Sequence, residues 1–243
     1  MEIMQRTPQF GTIFKSIVGK IIFVEPSTHS RKGHTQMNNE KCAPQGTPIY
    51  SASITREQFL FYENRTVAKL LLEGKNLEDI VKQVTDENLF QLPTQKSVRS
   101  IARACFNRLT FTHNDALVNM IANGSASDAK LALLYAFMCQ NLIVRDFMVD
   151  VIGEKFRVGL AIFDKSDVAR FMFTLGNRVE SVSKLSDETV KKVKSVLVKC
   201  LAEAGYLTTI RSTDLLQVSP SEELIRIIKE RGDGDMLPAF NVF

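Results

Sequence analysis

Residues 94–109, TQKSVRSIARACFNRL, read as a helix capped by Thr94. At 100° per residue Val98, Ile101, Ala102, Cys105 and Leu109 fall within one apolar stripe. The opposite side carries Lys96, Arg99, Ser100, Arg103 and Asn107, with Arg108 at its flank. Between Asn88 and Asn114 there is no Asp or Glu, while four Lys/Arg occur. A face that is merely solvated usually mixes its signs in i,i+4 pairs. The preceding helical stretch does so, with Glu63, Arg65, Lys69, Glu73, Glu78, Asp79 and Lys82. The change from mixed to purely positive charge therefore points to a negative partner.

Working outward from this helix, Thr55 is expected to cap a first helix ending at Gly74, and Asn76 a second one carrying Leu77, Ile80, Val81 and Val84 inward. Three helices with a basic third one are the plan of a helix-turn-helix unit, although the loop through NLFQLP is longer than the usual turn.

The C-terminal half repeats the plan. KSDVARFMFTL (165–175) reads as one helix, with Ser166 as its cap, and residues 176–185 connect it to the next. Ser186 then caps a long helix whose first turn holds Asp187 and Glu188, the sign that the helix dipole favours there. Val190, Val193, Leu197, Leu201 and Ala204 form its buried stripe, Gly205 ends it, and Lys191, Lys192, Ser195 and Lys199 lie on the far side. Two short β-rich runs around a turn, 206–218, read as a hairpin that would complete a winged helix, with Arg211 at the wing tip. LALLYAFM and LIVRDFMVDVI, apolar on most of their circumference, read as shared core.

The expected fold class is therefore mainly α. Two helix-turn-helix-like units, residues 49–113 and 161–220, flank a helical core segment, 114–160, and a helix and tail follow at 221–243. The C-terminal unit is a winged helix with a short β-hairpin. Residues 25–48 are polar, contain Pro26, Pro44 and Pro48, and lack an apolar period, so 1–48 is expected to be a disordered or non-native leader. Met37 is the alternative start. Residues 1–36 carry a net charge of +3, so a start at Met37 leaves +1 of the chain's +4. Net charge is thus no argument for nucleic acid, and patches must carry it.

Several function classes find no support. LALLYAFMCQNLIVRDFMVDVI (131–152) is broken by Gln140, Asn141, Arg145, Asp146 and Asp150, which argues against a membrane span. Cys42, Cys105, Cys139 and Cys200 are widely spaced, with Cys105 and Cys200 on apolar helix faces, which fits core thiols in a reducing cytoplasm. His113 is read as structural or solvated, and His29 and His34 make no metal site without further ligands. RGDGD (231–235) reads as a flexible tail turn. No phosphate loop, nucleophile elbow or metal motif occurs, so no enzyme, catalytic residue, cofactor or metal is expected.

Four segments, 50–109, IGEKFR (152–157), SDVARFM (166–172) and LSDETVKKVKSVLVKCLAEAGYL (185–207), together resemble the BrxA family of the BREX bacteriophage-exclusion systems, in register and order over roughly 49–220. The leader 1–48 has no counterpart there. The resemblance implies a small, mostly helical cytoplasmic protein that binds double-stranded DNA in phage defence. It would work beside other BREX proteins, including a methyltransferase, a phosphatase-like protein and an ATPase. RNA binding is a further implied alternative. The candidate DNA-binding residues are Lys96, Arg99, Arg103, Asn107, Arg108, Lys191, Lys192, Ser195, Lys199 and Arg211. Lysine contacts to phosphate position without specifying, so weak sequence preference is expected. The other reading is an assembly subunit whose basic helices dock on acidic partner proteins.

Overall fold

Ser51 accepts a hydrogen bond from the Ser53 N–H and opens a 3-10 turn, Ala52–Thr55. This turn lies near the start of what the computed structural model describes, residues 47–243. The leader, its Met37 start, Cys42, His29 and His34 lie outside the described residues. The expected cap at Thr55 is displaced. Helix α1, Phe61–Leu72, starts after Leu60, which sits at φ 54 and gives no side-chain cap. Asn64, in the first turn, donates to the carbonyls of Phe59 and Leu60 and so ties the residues before α1 to the helix.

The helix signals at Gly74, Asn76, Thr94, Ser186 and Gly205 hold. Gly74, at φ 81, follows α1, and the Lys75 and Gly74 N–H groups bond back to the carbonyls of Leu70 and Leu71 in a Schellman closure. Asn76 caps α2, Leu77–Asp86, and Thr94 caps α3, Gln95–Phe111. Helix α4, Asp115–Asn123, and α5, Ala126–Gln140, follow. A single helical run then changes pitch: α6, Leu142–Phe147, a π segment, Met148–Gly153, and α7, Glu154–Arg157. Helix α8, Lys165–Arg178, is capped by Asp164 and not by Ser166; Asp164 and Asp167 form a reciprocal capping box. Within the expected connection, residues 180–183 form a short α9, Glu180–Ser183. Helix α10, Asp187–Ala204, is capped by Ser186 and closed by Gly205 at φ 91. Helix α11, Glu222–Glu230, and a 3-10 segment, Gly234–Phe240, complete the order.

Helix α5 is the axis of the core, with Leu131 through Cys139 all buried, as its apolar circumference predicts. Helices α1, α3, α4 and α10 pack against it, α2 packs on α3, and α8 packs on α10. The architecture is mainly helical. Among the described residues there is no strand, only isolated bridges of Ile49 to Asn141 and Ile162 to Asp214.

The expected β-hairpin at 206–218 is thus corrected to an irregular loop. Its backbone makes single hydrogen bonds, Phe163 N–H to the Thr213 carbonyl, Leu215 N–H to that of Ala161 and Leu216 N–H to that of Tyr206. Hydroxyl groups take the groups a ladder would need: the Thr209 N–H donates to Ser212 Oγ and the Arg211 N–H to Thr209 Oγ1. Ser and Thr compete with the backbone in this way, and the strands do not propagate.

RGDGD is likewise no loose turn. Tyr135 donates to Asp233 Oδ2 at 2.6 Å, Arg231 Nε donates to the Tyr135 hydroxyl at 3.0 Å, and Arg231 also reaches the Thr112 carbonyl. Arg145 pairs with Asp235. Behind this latch Met236, Leu237, Ala239 and Phe240 are buried, and Tyr206 donates to the Ala239 carbonyl. The π segment meets the tail so closely that a Cβ on Gly153 would lie 3.0 Å from the Pro238 carbonyl carbon. Every charge of the motif has a partner supplied by tertiary contact.

Cys105, Cys139 and Cys200 are free and buried, and burial pushes each thiol up from 9.0 to about 12. A folded value above the unfolded one stabilises the native state fully below the unfolded value, and that contribution is lost as the pH climbs through the folded one. Raising the pH from 8 to 10 is expected to lower the unfolding free energy by roughly 1 kcal/mol for each thiol. Denaturant titration at the two pH values reads this, and Cys200→Ala should reduce the difference by one thiol's share. Identical pH dependence in the variant would contradict it.

Candidate nucleic-acid interface

Helix α3 owes its length to its cap and its orientation to its period. Thr94 Oγ1 accepts from the Ser97 N–H, and Val98, Ala102, Cys105 and Leu109 are buried against α1, α2 and α5. That burial turns Lys96, Arg99, Ser100, Arg103 and Asn107 outward, and all five are exposed. From Lys96 to Asn107 the row spans about 16 Å along the axis at 1.5 Å per residue. Among the described residues Arg99 makes only a 3.3 Å hydrogen bond to Gln95, and Lys96, Arg99 and Arg103 form no ion pair. The cationic row is uncompensated.

Helix α10 presents Lys191, Lys192, Ser195 and Lys199, all exposed, but its face is partly neutralised. Lys192 pairs with Glu188 at 2.7 Å, and Lys199 with Glu203 at 3.4 Å. The hydrogen bond and charge of Lys192 hold the Glu188 carboxyl below its ordinary value. Ser195 Oγ donates to the Lys191 carbonyl. Exposed pairs of this kind contribute little to stability, so a phosphate can displace the carboxylates at little cost. Arg211 is exposed in the 209–212 turn, which the Thr209 and Ser212 hydroxyls hold.

Arg108, expected among the surface contacts, is completely buried, which removes it from the set. Its Nη1 donates to the Phe59 carbonyl at 2.8 Å, its Nη2 to that of Glu57 at 2.7 Å, and its Nε to Gln140 Oε1 at 3.4 Å. The guanidinium also stacks over Phe137, 4.0 Å from the ring centroid. Burial lowers its affinity for the proton, and no carboxylate pairs with it directly. The signal was present: Arg108 follows buried Ala104 by four residues and buried Cys105 by three, which puts it on the inner side of the helix.

Gln58 was missed. Lys199 Nζ donates to Gln58 Oε1 at 2.8 Å, a contact across 141 residues that no local pattern announces. Elsewhere a cleft of about 340 Å³ lies between the π segment and α8, lined by Asp150, Glu154, Lys155, Asp167, Arg170 and Arg178. Its charges largely answer one another, Lys155 with Asp167 at 2.9 Å and Arg178 with Asp150 at 3.8 Å. Among the described residues no group of three or more His, Cys, Asp or Glu is placed to hold a metal ion, and no helix is long and apolar enough to cross a membrane.

These features define a mainly helical protein with an uncompensated cationic row on one helix and a partly ion-paired one on another. The BrxA family model matches residues 48–232, and the chain belongs to that family. It is similar to a BREX protein BrxA of Bacillus cereus, 28% identical over 76% of this chain and 93% of that protein. A BREX protein BrxA of Escherichia coli is 26% identical over 72% of this chain and 82% of its own length. The fold is shared with a crystal structure of an uncharacterized protein from Magnetospirillum magneticum, at a TM-score of 0.67 and 24% identity, covering 79% of this chain and 98% of that one.

Proposed function

We propose that this protein is a non-enzymatic DNA-binding component of a BREX phage-defence system, acting in the cytoplasm. It would contact duplex DNA mainly through the phosphate backbone, beside a methyltransferase, a phosphatase-like protein and an ATPase of that system. The observation that carries this reading is the row Lys96, Arg99 and Arg103, which faces solvent without a carboxylate partner. A duplex offers one negative charge per about 1.7 Å of axis, and each phosphate neutralised releases a counterion. Of the exposed residues, Arg99, Arg103 and Asn107 suit base edges, and the remaining cations are mainly lysines, so weak sequence preference follows.

In this reading residues 49–113 and 161–220 act as helix-turn-helix-like units around 114–160, and the loop carrying Arg211 takes the place of a wing without its strands. Fluorescence anisotropy with two unrelated duplexes of equal length tests it. Binding of both with affinities within a few-fold is expected; no binding at low salt, or binding of only one, would overturn it.

A second reading is an assembly subunit whose basic helices dock on acidic partner surfaces, an interface to which exposed apolar side chains would add contact area. Phe173 is 73% exposed on α8 and Ile162 is 63% exposed just before it. Binding of duplex RNA in preference to DNA in the same assay would turn the reading to RNA.

A further inference from the structure

We propose that Arg56 is a further phosphate contact, and that the 56–58 segment joins the basic faces of α3 and α10 into one duplex-binding surface; this rests on the DNA-binding reading above. The segment is fastened from both sides. On the α3 side, Arg108 reaches out of the core and donates to the carbonyls of Glu57 and Phe59. On the α10 side, the Ala52–Thr55 turn packs against the helix, and Lys199 donates to Gln58 Oε1 at 2.8 Å. The guanidinium charge of Arg108 is also felt by the Cys200 thiol, next in sequence to Lys199. The two basic helices therefore meet the same short segment, from opposite sides.

Arg56 stands at this seam. It is exposed, forms no ion pair among the described residues, and its own N–H closes the 3-10 turn on the Ser53 carbonyl. The nearest acid along the chain is Glu57, half-buried, whose carboxyl burial pushes up against the opposing pull of Arg108 and Arg56. That carboxyl feels both guanidinium charges, and of the two arginines only Arg56 is exposed to a ligand. Asn107 adjoins Arg108 in sequence, and Arg103 lies five residues back, about 7.5 Å along the axis. Lys199 is held one residue away from the carbonyl that binds Arg108. A duplex carries a charge about every 1.7 Å along its axis, so a single duplex lying across the seam would offer phosphates to both helices and to Arg56.

The test uses the full chain, a short duplex probe and three variants: Arg56→Gln, Arg56→Glu and the α3 reversal Arg99→Glu/Arg103→Glu. For Arg56→Gln the slope of log K against log salt should shrink by about 0.9, one phosphate contact. Arg56→Glu should weaken binding at least about tenfold near 100 mM salt, an effect of the size that loss of a phosphate contact plus added repulsion produces. Both variants should unfold at the wild-type midpoint, since the side chain is exposed. The α3 reversal should weaken all binding by at least about 100-fold near 100 mM salt, with no second site of near wild-type affinity left on α10, because there is one surface.

Wild-type affinity and slope in both Arg56 variants would overturn this proposal while leaving DNA binding intact. Two duplexes bound per wild-type chain, falling to one of near wild-type affinity after the α3 reversal, would overturn the single surface. Failure of the unaltered protein to bind duplex DNA would instead overturn the functional reading itself.

Discussion

Replacing Arg108 with alanine is expected to lower the unfolding free energy by about 3–5 kcal/mol, the size typical of breaking a buried charged network. The side chain is one of the largest completely buried groups in the described chain, and it has no carboxylate to share its charge. What offsets its desolvation is a set of oriented dipoles, the Glu57 and Phe59 carbonyls and Gln140, with the face of the Phe137 ring below. Truncation leaves the Glu57 carbonyl without its donor, at about 1–3 kcal/mol for a buried unsatisfied group, leaves the Phe59 carbonyl with Asn64 alone, and opens a cavity between α3 and α5. Arg108→Lys should fall between, because an ammonium keeps the charge but cannot bridge both carbonyls in the planar fork of a guanidinium. Denaturant unfolding of the three proteins gives the order directly. Wild-type stability in Arg108→Ala, accompanied by weaker DNA binding, would return this residue to the surface set.

The second large effect is on binding. The double reversal Arg99→Glu/Arg103→Glu should weaken duplex DNA binding at least about 100-fold near 100 mM salt. It deletes two phosphate contacts, each worth about 0.9 in the salt slope, and sets two acids against the same backbone. Both side chains are exposed, and Arg99 gives up only its bond to Gln95, so stability should change by no more than about 0.5 kcal/mol. The matching change at Lys191 and Lys199 should have the smaller direct effect, because Lys199 is already shared between Glu203 and Gln58. An unchanged affinity in both pairs, with the fold intact, would place the interface elsewhere.

What was legible in the sequence is what neighbours a few residues away decide. Asn76, Thr94 and Ser186 cap their helices because each side chain meets an N–H two or three positions on. Gly74 and Gly205 end theirs because the closing residue must adopt positive φ. The outward set Lys96, Arg99, Arg103 and Asn107 follows from the same periodicity. The misreadings have two origins, a distant partner for Arg108 and RGDGD and a local competing hydrogen bond for the 206–218 run. Arg108 is drawn inward by the backbone of 57–59, which the sequence places half a domain away. The RGDGD stretch is fixed by Tyr135, Thr112 and Arg145. The 206–218 run has the residue types of a hairpin, yet its Thr and Ser hydroxyls find backbone partners first. Gln58, and with it the seam between the two basic helices, appears only once α10 is folded onto the first turn.

The most direct test of the backbone-binding role is the salt dependence of duplex DNA affinity for the full chain, titrated from about 50 to 200 mM. A linear fall of log K with log salt, at about 0.9 per phosphate and equal for unrelated sequences, is the predicted result, with the slope reduced by about two contacts in the α3 reversal. Affinity that ignores salt, or a slope the reversal leaves untouched, would contradict it and assign the uncompensated row on α3 to a protein partner.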